Sequence, residues 1–424
     1  MSTGQVHRVR ALWLIGALHA FTHIYHVALM PLYFLIQKDF GLANLGETTL
    51  LVTVMMASYF LPSYGMGMLA DRVSRKKLLG IGLLINALGF IGLALAPNYP
   101  IALASMVLAG FGGSFYHPAA TAMVARLYPV GTGRALGLAA MGASVGFFFG
   151  PVYSGWRAQY SGWRAPVLEL GILGVIGAIV FWILADEDQP VRVEASDKGK
   201  PVPLFATPAL WAFFIATSFC FSLRDFTGSS MGTVGSLFLQ QAHGFSLRST
   251  GFALSGIFVM SLISNPLFGV LSDRGRLRWT LIVLVIAAAA VAVFPHLPKG
   301  ALVPGFMIYG FFFMASYPVI EAALMESVPD AVRGRVFGFF ITIGGLVGNI
   351  SHWIVGRWVQ HLGPAADTPP GYYSLYATLA FFILASLIGL PCLHAIRKRE
   401  HLDQPGEPTR APSAGALAMQ NPEV

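Results

Sequence analysis

Three histidines, His19, His23 and His26, fall within one apolar run near the start of the chain. Spacings of four and three place them on one face of a helix. Histidine titrates near physiological pH, so such a stripe can relay protons or meet an anionic compound. Imidazoles four residues apart can also share a metal ion. No Cys or Glu cluster on that run supports one, and no metal site is expected. His23 stands nearest the middle of the run. The structural alternative is that one or two of these rings only hydrogen-bond other helices. Ionisable residues interrupt other apolar runs at His117, Arg224, Asp225 and Glu321. Charged groups at membrane depth are costly and mark substrate or ion pathways. Arg224 is expected to face a cavity or a carboxylate, and Asp225 either shares that role or only compensates Arg224. Neighbours on a helix point about 100° apart, so the two need not pair with each other. Glu321, taken out of water, can bind and release a proton. His117 precedes Pro118, where freed carbonyls can line a cavity or be capped by the ring. Glu169 and Glu326 are expected at membrane boundaries.

The composition says which elements must position these groups. Of 424 residues, 55% are hydrophobic and only 11% charged, against roughly 25% charged in soluble domains. Twelve runs are long and apolar enough to cross a bilayer, at about 20 residues each: 11–36, 48–69, 78–96, 101–125, 135–156, 165–185, 208–237, 249–271, 279–296, 301–327, 335–357 and 374–394. The first run exceeds a signal-peptide core and lacks a convincing cleavage site, so it reads as a retained helix. The two cysteines lie in apolar runs, so no disulfide framework is expected.

The formal charge of +8 reads as topology rather than nucleic-acid binding. With the N-terminus placed in the cytoplasm, 20 of the 27 Lys and Arg residues fall in cytoplasmic segments and six in outer ones. That asymmetry sets the orientation by the positive-inside rule and puts both termini in the cytoplasm.

The chain repeats itself. Gly110 and Gly310, Pro118 and Pro318, and Pro129 and Pro329 share one offset, and the loop Gly67-Met-Leu-Ala-Asp71-Arg72-Val-Ser-Arg75-Lys76-Lys77 returns as Gly269-Val-Leu-Ser-Asp273-Arg274. Duplicated six-helix units are a common transporter plan. The predicted fold is an all-α integral membrane protein of twelve transmembrane helices, with two six-helix halves related by pseudo-two-fold symmetry around a central cavity. Residues 1–185 form the first half, 186–207 a polar linker, 208–396 the second half, and 397–424 a disordered tail.

These features resemble the major facilitator superfamily over residues 8–396. Gly67, Leu69, Asp71, Arg72, Arg75 and Lys76 match its loop signature, with Ser74 for the second glycine. Gly146-Phe-Phe-Phe-Gly150-Pro151-Val-Tyr-Ser154-Gly155 resembles the antiporter motif of its proton-coupled drug exporters, with Ser154 for one glycine. Tyr116-His117-Pro118 is similar to fosmidomycin-resistance-like exporters. The resemblance implies a conformational latch at Gly67, Asp71, Arg72, Arg75 and Lys76, with a poorer copy at Gly269, Asp273 and Arg274; the basic residues also enforce topology. Gly142, Gly146 and Gly150 recur every fourth residue and admit a neighbouring backbone, and Pro151 bends the helix or ends its hydrogen-bond ladder. This is either a static contact or one between halves that open and close. Many exporters of the family carry an arginine in the fourth span where this chain has Met106, so any coupling cation must lie elsewhere.

The resulting expectation is a secondary transporter in the bacterial inner membrane, working as a monomer without a cofactor by alternating access. Proton-coupled export of a small organic compound is favoured. Uptake of an organic anion, drawn by Arg224 and the histidines, is the alternative. A polytopic membrane enzyme is a remote third, because no nucleophile elbow, metal motif or phosphate loop is present.

Overall fold

The computed structural model describes residues 3–70, 72–128, 132–186, 203–328 and 332–402. Among them are twelve helical segments long and apolar enough to cross a membrane. We label them α1 (Gln5–Asp39), α2 (Leu45–Ala70), α3 (Arg75–Leu95), α4 (Tyr99–Leu127), α5 (Arg134–Ser161), α6 (Arg164–Leu184), α7 (Pro208–Gln241), α8 (Leu247–Ser272), α9 (Arg276–His296), α10 (Lys299–Met325), α11 (Arg333–Asp367) and α12 (Pro369–Lys398). Each overlaps one of the expected runs, and α1, α11 and α12 extend beyond theirs. The linker from 187 to 202, the tail from 403, and Asp71, Pro129 and Pro329 lie outside the described residues.

Local chemistry sets where the helices begin. Ser74 Oγ accepts the Lys77 N–H at 3.4 Å and caps α3. The residue that departs from the family's loop glycine therefore supplies a capping oxygen. Asn98 caps α4 through Ile101, and Thr207 caps α7 through Leu210, each with proline in the first helical turn. Large apolar side chains such as Ile183, Val270, Phe381 and Ile388 point outward, as expected of helices solvated by lipid.

The duplication is visible in packing. A Cβ on Gly110 would overlap the Met55 carbonyl of α2, and one on Gly310 would overlap the Ile257 carbonyl of α8. The two glycines thus seat α4 on α2 and α10 on α8, which are equivalent pairs. Gly41 and Gly244, at the matching turns after α1 and α7, share φ of +61°, a backbone state that favours glycine. The prolines diverge. Helix α4 breaks at Ser114–Phe115, one turn before Pro118, where the ring cannot bond the Ser114 carbonyl. Helix α10 runs unbroken from Leu302 to Met325 through Pro318.

The halves meet along α2–α11 and α5–α8, and among the described residues most of their mutual hydrogen bonds lie on the side away from the termini. Helix α1 ends regular winding at Val27 and passes through a 3₁₀ turn at Met30–Leu32. The freed carbonyls of Met30 and Pro31 accept Ser236 Oγ at 2.5 Å and Gln240 Nε2 at 3.2 Å from α7. Gln360 of α11 accepts the Leu45 N–H of α2 at 3.1 Å. Nearer mid-depth, Ser144 and Ser261 pair at 3.1 Å between α5 and α8.

Candidate functional site

The glycine stripe of α5 locates the histidines. Gly142, Gly146 and Gly150 leave room for the carbonyls of Gly16, Ala20 and Ile24. The stripe therefore packs α5 against α1 inside the first half, not against the other half. The contact between halves falls one residue later, where the Pro151 carbonyl meets Gly251 of α8 and Gly155 meets the Leu247 carbonyl. Close approach of α5 puts the Ala139 carbonyl 3.0 Å from His19 Nδ1. Replacing Gly146 with leucine is expected to force α1 and α5 apart, lower the thermal midpoint by several degrees, and cost about 1–3 kcal/mol or more as overpacking. A thermal-shift measurement in detergent checks this.

The histidines form a contiguous cluster. His19 stacks on Tyr116 at 4.7 Å between ring centroids, and its Nε2 lies 3.1 Å from His23 Nε2. His117, brought in by the break in α4, is 5.2 Å from His19 and 6.0 Å from His23. His26 turns to Tyr59 at 4.9 Å. Phe147 covers His23 at 4.2 Å and stacks on Phe258 of the other half at 4.6 Å. His19 is buried, His23 and His26 half-buried, and His117 exposed. Tyr25 is on another face of α1, donating to the Leu170 carbonyl of α6.

The second half holds the charged groups. Arg224 is 2% exposed and clasps its neighbour: Nη2 and Nε reach Asp225 Oδ1 at 2.6 and 3.1 Å. The flexible guanidinium folds back along the helix, so the 100° between their Cα–Cβ directions does not separate them. Its Cζ lies 4.2 Å over the Tyr317 ring of α10, a cation–π contact. Glu321 is one helical turn beyond Tyr317 on the same face of α10, half-buried. Gly344 and Gly348 of α11 leave the space that Asp225 fills, and Gly228 leaves space for Tyr317 and Phe313. Arg224 Nη1 is buried without a hydrogen-bond partner among the described residues.

The boundary carboxylates are engaged in ion pairs. Glu169 takes a forked contact from Arg157 at 2.7 Å and a hydrogen bond from Tyr153 at 2.6 Å. Glu326 is exposed and pairs with Arg276 at 2.7 Å. Asp273 pairs with Arg276 at 3.0 Å. The second loop copy therefore joins Asp273 and Glu326, from the ends of α8 and α10, through one arginine. In the first copy Asp71 is outside the described residues; Arg72 is exposed, Arg75 and Lys76 are half-buried, and a Cβ on Gly67 would lie 3.9 Å from that of Pro118. Gly269 faces open space.

One group of residues was not singled out from the sequence. Thr233 Oγ1 contacts Tyr33 Oη of α1 at 3.1 Å and His352 Nδ1 of α11 at 2.6 Å. His352 Nε2 reaches Asn349 Oδ1 at 3.2 Å, and the Asn349 carbonyl accepts Thr53 Oγ1 of α2 at 3.2 Å. This chain ties α1, α7, α11 and α2 together across both halves. Its only sequence signal is a polar residue at intervals in α7 and α11.

Residues 12–352 match the Major Facilitator Superfamily. The chain belongs to this superfamily. As a member of the superfamily it is a membrane transporter and not an enzyme. It is similar to the multi-drug resistance efflux pump PmrA of Streptococcus pneumoniae, 27% identical over 361 residues that span 82% of this chain and 86% of PmrA. It is also similar to the quinolone resistance protein NorA of Staphylococcus aureus, 25% identical over 274 residues spanning 63% and 69% of the two chains. Its fold is similar to that of a bacterial homolog of the human lysosomal transporter Spinster in an inward-facing, unoccupied conformation. The TM-score is 0.76 at 17% identity, covering 96% of this chain and 100% of that one.

Proposed function

We propose that this superfamily member exports a small organic compound in exchange for protons, by rocking of two six-helix halves about a central site. The observation that carries the coupling is the charge cluster of Arg224, Asp225 and Glu321 within the bilayer span of α7 and α10. Such groups are costly in lipid and are kept where an ion or substrate uses them. Drug export as the direction is supported by the names of two relatives, the multi-drug resistance efflux pump PmrA and the quinolone resistance protein NorA. The protein works as a monomer in the bacterial inner membrane, with both termini in the cytoplasm. Residues 1–185 and 208–396 are the moving halves, with 186–207 as their linker. The loop residues around Asp71 and Asp273 latch the termini-side ends when that side closes. His19, His23, His26 and His117 line the substrate path of the first half.

A second reading rests on Arg224 Nη1. An unpaired buried donor suits a carboxylate or phosphonate on the cargo, which would make the protein an importer of organic anions. Liposomes with an interior pH dye separate the two. Proton movement started by a quinolone or a lipophilic cation, and opposite in direction to the compound, supports export by exchange. Proton movement started only by organic anions, and in the same direction, supports uptake. Compound movement with no proton flux would sink the coupling claim.

The Tyr33–Thr233–His352–Asn349 chain closes the side away from the termini. Replacing Thr233 with valine keeps its shape and removes both bonds. The variant is expected to populate the conformer open on that side more than wild type does. A maleimide reporter on a cysteine at Ser236, in a background lacking Cys220 and Cys392, should then label faster. Unchanged labelling would mean that the chain does not bias the gate.

A further inference from the structure

Along α1, His19 and His23 approach each other but His26 does not join them as a third ligand. The break in α4 supplies it. One ligand-capable atom each from His19, His23 and His117 lies within 4.8 Å of the others. The two Nε2 atoms of His19 and His23 are 3.1 Å apart. Zinc–nitrogen bonds of about 2.0–2.1 Å in a tetrahedral shell put ligand nitrogens about 3.3 Å from one another. One edge of such a shell is thus nearly in place, and a nitrogen of His117 lies within 4.8 Å of both.

The outer support is also in place. A carbonyl accepts only, so His19 Nδ1 donates to Ala139 O at 3.0 Å and its Nε2 presents a lone pair toward His23. A ligating imidazole with its second nitrogen fixed on a backbone carbonyl is the usual second layer of a metal site. The cluster also has more bonding capacity than the protein satisfies. His23 shares one hydrogen with His19, and its Nδ1 is buried with no partner among the described residues. His117 is exposed, so an ion has a way in. His26 stands apart: its ring meets Tyr59 at 4.9 Å, and its nitrogens are not among those gathered within 4.8 Å.

We propose that His19, His23 and His117 form a three-imidazole site for a borderline divalent cation, of the class that includes Zn²⁺, Co²⁺ and Ni²⁺. Imidazole nitrogen selects these ions over Mg²⁺ and Ca²⁺, which prefer oxygen. Three protein ligands leave a fourth position for water or for a donor atom of a carried compound. The claim concerns binding and stands or falls separately from proton-coupled export.

The test uses the full-length, untagged protein in detergent, freed of metal and titrated with Co²⁺. The expected result is one equivalent bound, with a visible absorption band of tetrahedral intensity that Zn²⁺ removes and excess Mg²⁺ does not. His23→Ala and His117→Ala should each lose the band and weaken Co²⁺ binding by more than the ~100-fold that marks the upper range for loss of an outer partner alone. His361→Ala, at an exposed ring on α11, should bind as wild type does. His117→Gln serves as a second variant should alanine impair folding, since that ring is exposed, and monodispersity with an unchanged thermal midpoint qualifies each variant. No stoichiometric band in the wild type, or a band retained in His117→Ala and His117→Gln, overturns the proposal. Binding that falls in His361→Ala as much as in His23→Ala would assign it to surface histidines and overturn it equally.

Discussion

Glu321→Gln is expected to abolish compound-driven proton flux while leaving the fold and compound binding in place. Glutamine has the shape of the protonated carboxyl and cannot release a proton. Glu321 sits a turn from Tyr317 on α10, and Tyr317 lies under Arg224. A proton leaving Glu321 therefore places a negative charge beside a fixed positive one that Asp225 already neutralises in part. Occupancy of Glu321 by a proton changes the net charge of the cluster by one, and at low dielectric such a change is worth enough to bias a conformational equilibrium. With that change removed, the transporter should still bind compound within about tenfold of wild type, about 1.4 kcal/mol. It should exchange labelled compound across a membrane with no pH gradient, and fail to concentrate it when a gradient is applied. Proton flux in the variant equal to wild type would remove Glu321 from the coupling path and shift attention to the histidines of α1. Glu321→Asp, which keeps the acid and shortens its reach, should retain part of the flux.

What could be read from the residues and what could not divides along physical lines. Twelve helices follow from apolar length alone, because lipid leaves the backbone no other way to satisfy its hydrogen bonds. The duplication shown by Gly110 and Gly310 was legible because a glycine forced by close backbone approach keeps its place when the unit is copied. The four-residue stripe at Gly142, Gly146 and Gly150 was legible as a packing face. Its partner was not, since spacing tells which side of a helix is narrow and not which helix arrives there. The partner proved to be α1, so the stripe positions His19 and His23 rather than forming the moving contact itself. The pairing of Arg224 with Asp225 depends on a long side chain folding back, which helical angles do not constrain. The pairing of Asp273 with Arg276 is of the same kind. His117 joining His19 depends on the break in α4, and the proline that marks it sits a turn beyond the break. Thr233, Asn349 and His352 gave almost no signal, because single hydroxyls and amides are common in membrane helices and only their alignment across four helices gives them a role.

Arg224→Met is expected to destabilise the second half by about 3–5 kcal/mol, the cost of leaving one member of a buried ion pair alone. Asp225 would keep its place between Gly344 and Gly348 with no guanidinium to neutralise it, and the Tyr317 ring would lose the cation over its face. The informative variant is the double replacement, Arg224→Met with Asp225→Asn, which removes both charges and keeps the volume. Stability should return to near that of wild type, because a well-packed apolar substitute for a buried pair is often neutral. Transport should not return. If Arg224 served only to balance Asp225, removing both would restore function along with the fold; if the cluster's charge is what Glu321 and the cargo respond to, the double variant is a stable protein that moves nothing. Arg224→Lys separates charge from shape. Lysine keeps the cation but not the planar fork that reaches Asp225 through two nitrogens and stacks on Tyr317, so it should fold well and transport with a raised KM. Thermal midpoints in detergent and uptake into proteoliposomes, measured on the same preparations, decide among these outcomes. Recovery of both stability and transport in the double variant would reduce Arg224 and Asp225 to a structural pair and leave Glu321 as the coupling group of α10 on its own.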